Sequence, residues 1–156
     1  MKEIVLTQGQ VALVDDEDFE KLNQFKWYAH SAGYNWYAAR RNNRKFVYMH
    51  RLIMNAQKDE EVDHINGNGL HNYKVNMRLC THQQNNVNKP MRRDNKTGIK
   101  GVRWDKTNKG KPFQAQLHVK GKHVYCKNFN NIKSAEFAYK TISNKYFGEF
   151  AGIKII

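Results

Sequence analysis

The sequence predicts an α+β protein. A small β-rich N-terminal region is followed by a strand, loop, strand and helix, and then by a three-stranded antiparallel sheet backed by one helix. Three observations lead there. Short apolar runs punctuated by Gly, Asn and Asp fill residues 1–48. Two brief apolar strings, Val62-Asp63-His64-Ile65 and Met77-Arg78-Leu79-Cys80, flank an Asn-Gly-Asn-Gly loop. Residues 113–119 alternate apolar and polar side chains, and a stripe at helical spacing follows from Ile132 to Tyr146. The expected division is 1–48, 49–95 and 96–156.

Within the first segment, Ile4-Val5-Leu6 and Val11-Ala12-Leu13-Val14 flank Gly9 and read as a hairpin. Asp15-Asp16-Glu17-Asp18 starts a short helix over residues 19–23, with acids at its positive end. Trp27-Tyr28-Ala29 and the run from Tyr34 to Ala38 read as two strands around Ser31-Ala32-Gly33, and Lys45-Phe46-Val47-Tyr48 as another. Their aromatics are read as core and sheet packing rather than as base-stacking platforms. In the second segment, Met49 to Met54 reads as a short helix, and Thr81-His82-Gln83-Gln84 has capping-box spacing for a helix that carries Asn85. Residues 89–98 are polar and basic and read as a linker able to lie along phosphates.

In the third segment, Val102-Arg103-Trp104, residues 113–119 and residues 122–129 form the three strands, with Lys120-Gly121 closing a tight hairpin. Asn131 caps the helix and Gly148 ends it. If Phe113, Ala115, Leu117 and Val119 face the helix, Gln114, Gln116 and His118 face outward. The same alternation puts His123, Tyr125 and Lys127 on one face of the third strand, opposite Val124 and Cys126.

A chain of 156 residues with 40% hydrophobic content can bury a core, and wholesale disorder is excluded. There is no apolar run long enough for a membrane helix, and the N-terminus turns polar at Thr7-Gln8, so a cytoplasmic protein is expected. Two cysteines, Cys80 and Cys126, form no C-x-x-C pair; they read as small buried thiols, with no structural zinc. The net charge of +13 is uneven: residues 96–156 hold 13 Lys/Arg against 3 Asp/Glu, while residues 1–48 hold 7 against 6. A polyanion is the natural partner for such a surface.

The middle segment carries the chemistry. His64 and Asn76 are 12 residues apart and Asn76 and Asn85 are 9 apart, gaps that a strand, loop, strand and helix can fold onto one surface. Asp63 offers a hard anionic oxygen to a divalent cation and Asn85 a neutral carbonyl oxygen. His64 can take a proton from water. Asn76 can hold the imidazole in one tautomer, with Asn72 as its rival for that task. His50 is read as structural or as a phosphate contact. The ordinary alternatives are a surface histidine, a simple turn and two helix or loop caps.

These residues resemble a known family. The stretch from His50 to Asn88 resembles the HNH nucleases, in particular the phage and intron-type homing endonucleases. The resemblance rests on His50-Arg51-Leu52, Val62-Asp63-His64-Ile65-Asn66-Gly67-Asn68, Asn76-Met77-Arg78-Leu79-Cys80 and Thr81-His82-Gln83-Gln84-Asn85-Asn86. It implies a ββα-metal fold, His64 as general base, Asn76 as its orienting residue, and Asp63 with Asn85 as ligands to one Mg²⁺ or Mn²⁺. Asn85 stands where many HNH nucleases have histidine.

Residues 97–150 resemble the APETALA/ethylene-response-factor type of DNA-binding domain. The match rests on Gly98-Ile99-Lys100-Gly101-Val102-Arg103-Trp104, residues 113–118, Val124-Tyr125, Phe129 and the helix ending in Tyr146-Phe147-Gly148. That family lays its sheet in the DNA major groove, which implies contacts from Lys100, Arg103, Gln114, Gln116, His118, His123, Tyr125 and Lys127. Arginine and glutamine suit guanine and adenine edges, and lysine suits phosphates. The expectation is thus a metal-dependent DNA endonuclease of phage or bacterial-host origin. It would act as a monomer on duplex DNA, without a small-molecule cofactor. The competing readings are a DNA-binding regulator carrying a relic nuclease segment and an RNA-binding protein.

Overall fold

Gly9, at φ 75°, supplies the left-handed turn that folds β1 (Lys2–Val5) antiparallel onto β2 (Val11–Val14). The computed structural model describes residues 1–33, 35–89, 91 and 94–151. Within it the chain divides into two compact units, Met1–Asn85 and Asn86–Ile156. Tyr34, Pro90, Arg92 and Arg93, which fall in the expected second strand and linker, lie outside the described residues.

In the first unit, residues 16–18 open α1 (Asp16–Asn23) with three acids at its positive end. β3 (Tyr28–Ala32), β4 (Asn35–Asn42) and β5 (Lys45–Tyr48) form an antiparallel meander, and α2 (Met49–Ile53) follows directly. One core collects Ile4, Leu6, Val14, Leu22, Trp27 and Met49, with Leu52, Ile53 and Leu70 packed against it. Residues 1–48 and the start of the middle segment therefore share a hydrophobic interior.

The meander has two unlike faces. Ala29 and Ala38 pair across it and join the core, as does Val47. Tyr28, His30, Tyr37, Phe46 and Tyr48 occupy the opposite face, where Phe46 remains 42% exposed. The expected core and sheet packing of the aromatics takes both forms: Trp27 joins the core, and these rings pack against one another on the sheet.

The middle hairpin is built from β6 (Glu61–His64) and β8 (Met77–Cys80), paired antiparallel with Asp63 opposite Arg78 and His64 opposite Met77. Between them lies a two-residue strand, β7 (His71–Asn72), which the sequence pattern does not reveal; it pairs parallel with β2, Leu13 to His71 and Val14 to Asn72. A short 3-10 turn (Lys74–Asn76) leads into β8. Then comes α3 (His82–Asn88), where the Thr81 and Gln84 side chains satisfy each other's backbone N–H at 3.3 and 2.8 Å, a capping box as the spacing predicts.

The second unit is the expected sheet and helix. β9 (Val102–Trp104), β10 (Phe113–Val119) and β11 (Lys122–Phe129) form an antiparallel sheet with β10 in the centre. α4 (Ile132–Phe147) packs Ala135, Tyr139 and Phe147 onto Val102, Ala115 and Leu117, with Asn131 accepting from the backbone N–H of Lys133 and Ser134. The C-terminal end of the expected linker is folded rather than loose: Asn95 and Thr97 side chains donate to the Ile99 and Val102 carbonyls.

Two sequence-based expectations are corrected here. A β-bulge breaks the register between Leu117 and His118, so that His118 pairs with His123 but Leu117 with Tyr125, and Val124 is the extra residue. Beyond the bulge the faces of β11 exchange. Tyr125 and Lys127, paired with Leu117 and Ala115, lie on the helix side, while Cys126 and Asn128 join His123 on the outer face. Cys126 is accordingly exposed instead of buried, whereas Cys80 is buried.

Gly101 sits at φ 73° beneath Tyr139, and a Cβ there would overlap the tyrosine ring. Gly101→Ala combines left-handed strain with overpacking and is expected to cost about 3 kcal/mol. A lowered thermal midpoint with the far-ultraviolet spectrum retained is the check.

Candidate active site

His64 ends β6 and is 5% exposed. Its Nε2 lies 3.2 Å from Asn72 Oδ1, and the Asn72 Nδ2 donates to the Leu70 carbonyl at 3.1 Å. Because the Asn72 amide nitrogen is committed to a carbonyl, its oxygen is the end that meets His64. The proton is thereby assigned to Nε2 and the lone pair to Nδ1. Burial lowers the His64 pKa below the ordinary 6.5, against the upward pull of the Asn72 hydrogen bond and the Asp63 charge. The imidazole is therefore neutral at pH 7, the form that accepts a proton.

Asn72 is fully buried and is fixed by β7, which β2 holds in register. The sequence reading gave the orienting task to Asn76, with Asn72 as rival; the side chain bonded to His64 is that of Asn72. Asn76 braces the loop instead. Its Nδ2 donates to the His71 carbonyl at 2.8 Å and to Asn66 Oδ1 at 3.1 Å, and its Oδ1 accepts from the Asn66 N–H.

Asp63 is 4% exposed, and Arg78 from the facing strand donates to its Oδ2 from Nη2 at 2.7 Å and from Nε at 2.9 Å. Glu61 and Asp63 alternate onto one face of β6. Helix α3 brings Asn85 to that strand, where its Nδ2 donates to Glu61 Oε2 at 2.7 Å, and His82 Nδ1 lies 2.6 Å from Glu61 Oε1. The two carboxylates also act at Cys80: burial first, then Asp63 and Glu61, push its thiol up to about 11.

An open cleft of about 200 Å³ lies beside these groups, lined by Tyr37, Tyr48, His50, Arg51, Glu61 and Asn85 among others. Two of its walls touch the candidate base: the ring of His50 lies 5.3 Å from that of His64 and the ring of Tyr37 6.0 Å away. His50 is 8% exposed, its Nδ1 finds no hydrogen-bond partner among the described residues, and burial pushes its pKa down to about 3. Sequence reasoning gave no role to Glu61, Arg78 or Tyr37. Strand alternation about Asp63 would have pointed to Glu61 two residues before it, and pairing of the two hairpin strands to Arg78.

Among the described residues no three His, Cys, Asp or Glu side chains gather as a metal cluster. The donors present are hard oxygens, namely the Asp63 and Glu61 carboxylates and the Asn85 carbonyl. That set fits Mg²⁺ or Mn²⁺, ions that keep several waters and need only one or two carboxylates besides the substrate phosphate.

The chain is 30% identical over 146 residues to an uncharacterized HNH endonuclease of Acanthamoeba polyphaga mimivirus, an alignment spanning 92% of this chain and 74% of that protein. The chain belongs to the HNH endonuclease family. No family model matches it, and no solved structure matches it. The HNH alignment covers nearly the whole chain, so both units lie within the similarity. No helix among the described residues is long and apolar enough to cross a membrane.

The outer face of the second unit's sheet carries the other candidate residues. Arg103 Nε donates to Gln114 Oε1 at 2.8 Å, Gln114 Nε2 donates to Asn128 Oδ1 at 2.9 Å, and Asn128 Nδ2 donates to Asp105 Oδ2 at 2.9 Å. This chain fixes Arg103 but leaves Gln114 only 7% exposed, with both ends of its amide engaged. Gln116 lies opposite Cys126, and the exposed rings of His118 and His123 stand 3.7 Å apart. The Lys100 ammonium donates to the carbonyls of Val87 and Lys89.

Burial of the two neutral imidazoles carries a pH signature. The unfolded chain takes up protons below pH 6.5, whereas folded His50 stays neutral down to about 3, so stability is full above 6.5 and declines as pH falls through that window. Between pH 6.5 and about 5 the His50 contribution alone amounts to about 2 kcal/mol. Urea denaturation at several pH values checks this, and His50→Phe is expected to flatten the dependence.

Proposed function

We propose that this protein is a metal-dependent DNA endonuclease. In this reading His64 is the general base, Asn72 its orienting partner, and Asp63 with Asn85 the metal ligands, with Glu61 holding Asn85 in place. The observation that carries the proposal is the buried, neutral His64, fixed in one tautomer by Asn72 and set directly beside Asp63.

When bound at Asp63 and Asn85, a divalent cation supplies charge stabilisation at the scissile phosphate. The protein's own groups do the rest. His64 Nδ1 accepts a proton from the attacking water as its oxygen bonds to phosphorus. The phosphorus to leaving-oxygen bond breaks, and the departing sugar oxygen takes up a proton from solvent. The Asn72 carbonyl stabilises the imidazolium that forms, since its hydrogen bond to Nε2–H strengthens as the ring gains charge. Arg78 holds the Asp63 carboxylate in a fixed position, and Asn76 acts as a positioning residue through the loop.

The basic second unit would hold duplex DNA through the outer face of its sheet, in the manner of the APETALA-like domains it resembles. The face that suits this role is Arg103, Gln116, His118 and His123, with Gln114 and Asn128 as braces. Tyr125, Lys127 and Lys100, expected at first to touch DNA, are better placed to pack and to hold the chain.

Incubation of the purified full chain with supercoiled plasmid and Mg²⁺ or Mn²⁺ tests the proposal. Nicking is expected, with loss in EDTA and a fall of about 10²- to 10⁴-fold for His64→Ala. Asn72→Ala should lower the cleavage rate at unchanged DNA affinity, whereas Asn76→Ala should chiefly lower the thermal midpoint. DNA binding without cleavage in either metal would overturn the enzyme reading in favour of a regulator.

A further inference from the structure

The near-neutral charge of residues 1–48 conceals a sharp asymmetry. All six of its carboxylates precede Lys21, and residues 21–58 contain eight Lys/Arg and no Asp or Glu. That carboxylate-free stretch includes the whole β3-β4-β5 meander. One face of the meander supplies the core through Ala29, Ala38 and Val47. Its other face is aromatic although the core has no call on it.

The rings on that face form a continuous track. Phe46 and Tyr48 are stacked at 6.0 Å with 14° between planes, and Tyr48 and His50 follow at 5.5 Å and 26°. His50 in turn meets the candidate base His64 at 5.3 Å. His30 lies beside the track, 4.9 Å from Phe46. At its outer end the exposed Arg41 sets its guanidinium 4.8 Å over Phe46. Tyr48 also lines the cleft that contains Asn85, so track and cleft are continuous.

We propose that this face is a stacking platform for unpaired nucleotides of the DNA strand that enters the active site. The ligand class rests on the nuclease reading above. A ring face offers a base a π-surface that is sequence-tolerant, and it competes only for bases whose own faces are not hidden in a duplex stack. Arginine stacked on an aromatic adds a cation for the adjacent phosphate without leaving the ring. The absence of carboxylates over residues 21–58 removes the repulsion that a polyanion would meet there. The platform would seat the strand locally opened beside the cut, a task different from that of the basic sheet in the second unit.

The test is equilibrium binding of the full chain in EDTA to a fluorescent oligothymidylate of about 20 nucleotides and to a blunt duplex of the same length. Phe46→Leu and His30→Leu remove the ring and leave an apolar side chain; Arg41 is exposed, so Arg41→Ala guards against a folding defect. Each ring substitution is expected to weaken oligothymidylate binding roughly tenfold, Arg41→Ala severalfold, and duplex binding less than twofold. Crosslinking of an iodouracil-substituted strand to Phe46 or Tyr48 is expected as well. Unchanged oligothymidylate affinity in all three variants, with thermal midpoints retained, overturns the platform. An equal loss on duplex overturns its preference for unpaired DNA. His64→Ala separates the two proposals: it should abolish nicking while leaving oligothymidylate affinity at the parental value. If the parent nicks DNA but the ring variants bind normally, the platform alone fails. If the parent never nicks, the enzyme reading fails whatever the binding shows.

Discussion

The parallel pairing of β2 with β7 is the constraint on which the candidate site depends. Two rungs, Leu13 to His71 and Val14 to Asn72, join segments almost sixty residues apart and fix Asn72 in a fully buried position against His64. The acidic run at the start of α1 reinforces the same junction. Asp15 accepts from the Lys74 backbone N–H at 2.7 Å, and the Lys74 ammonium pairs with Glu17 and with Asp18. Acids that complement a helix N-terminus thus also anchor the turn that delivers Asn76. The N-terminal hairpin and helix act as the splint that sets the tautomer of the candidate base.

Local patterns made most of the elements legible. Alternation gives β10, helical spacing gives α4, and the Asn131 and Thr81 caps mark helix starts because each is decided within a few residues. What sequence could not supply depended on distant or cumulative geometry. β7 is two residues long, and only its partner β2 makes it a strand. The bulge at Val124 is silent in an alternating string, yet it reverses every side chain beyond it and carries Cys126 to the outer face. For the same reason the string placed Asp63 and His64 correctly beside each other but could not rank Asn72 above Asn76, since both lie on one loop and differ only in how it folds back. The aromatics of the meander were visible in the sequence, but which of them leave the core depends on strand pairing, and summing charge over residues 1–48 concealed the carboxylate-free stretch that carries them.

Two basic regions with different chemistry serve the proposed nuclease function. The outer sheet face of the second unit offers arginine, glutamine and histidine, groups that read base edges and phosphates from outside a paired helix. The meander of the first unit offers ring faces and guanidinium, groups that hold bases already exposed. On the two proposals made above, the selection of a duplex and the seating of the strand to be cut fall to different surfaces.

Within the first unit the two imidazoles of the site are kept uncharged. Burial holds both His50 and His64 below the ordinary histidine pKa, and the His64 ring, 5.3 Å away, further disfavours a proton on His50. A charged His64 would already have spent the lone pair that water must meet. A charged His50 beside it would oppose the proton that His64 has to accept. Packing two neutral rings against each other, with Asp63 and the Asn72 carbonyl ready to favour charge once it arrives on His64, resolves that conflict. The stability lost on acidification is the measurable cost of keeping the proposed base in its reactive form.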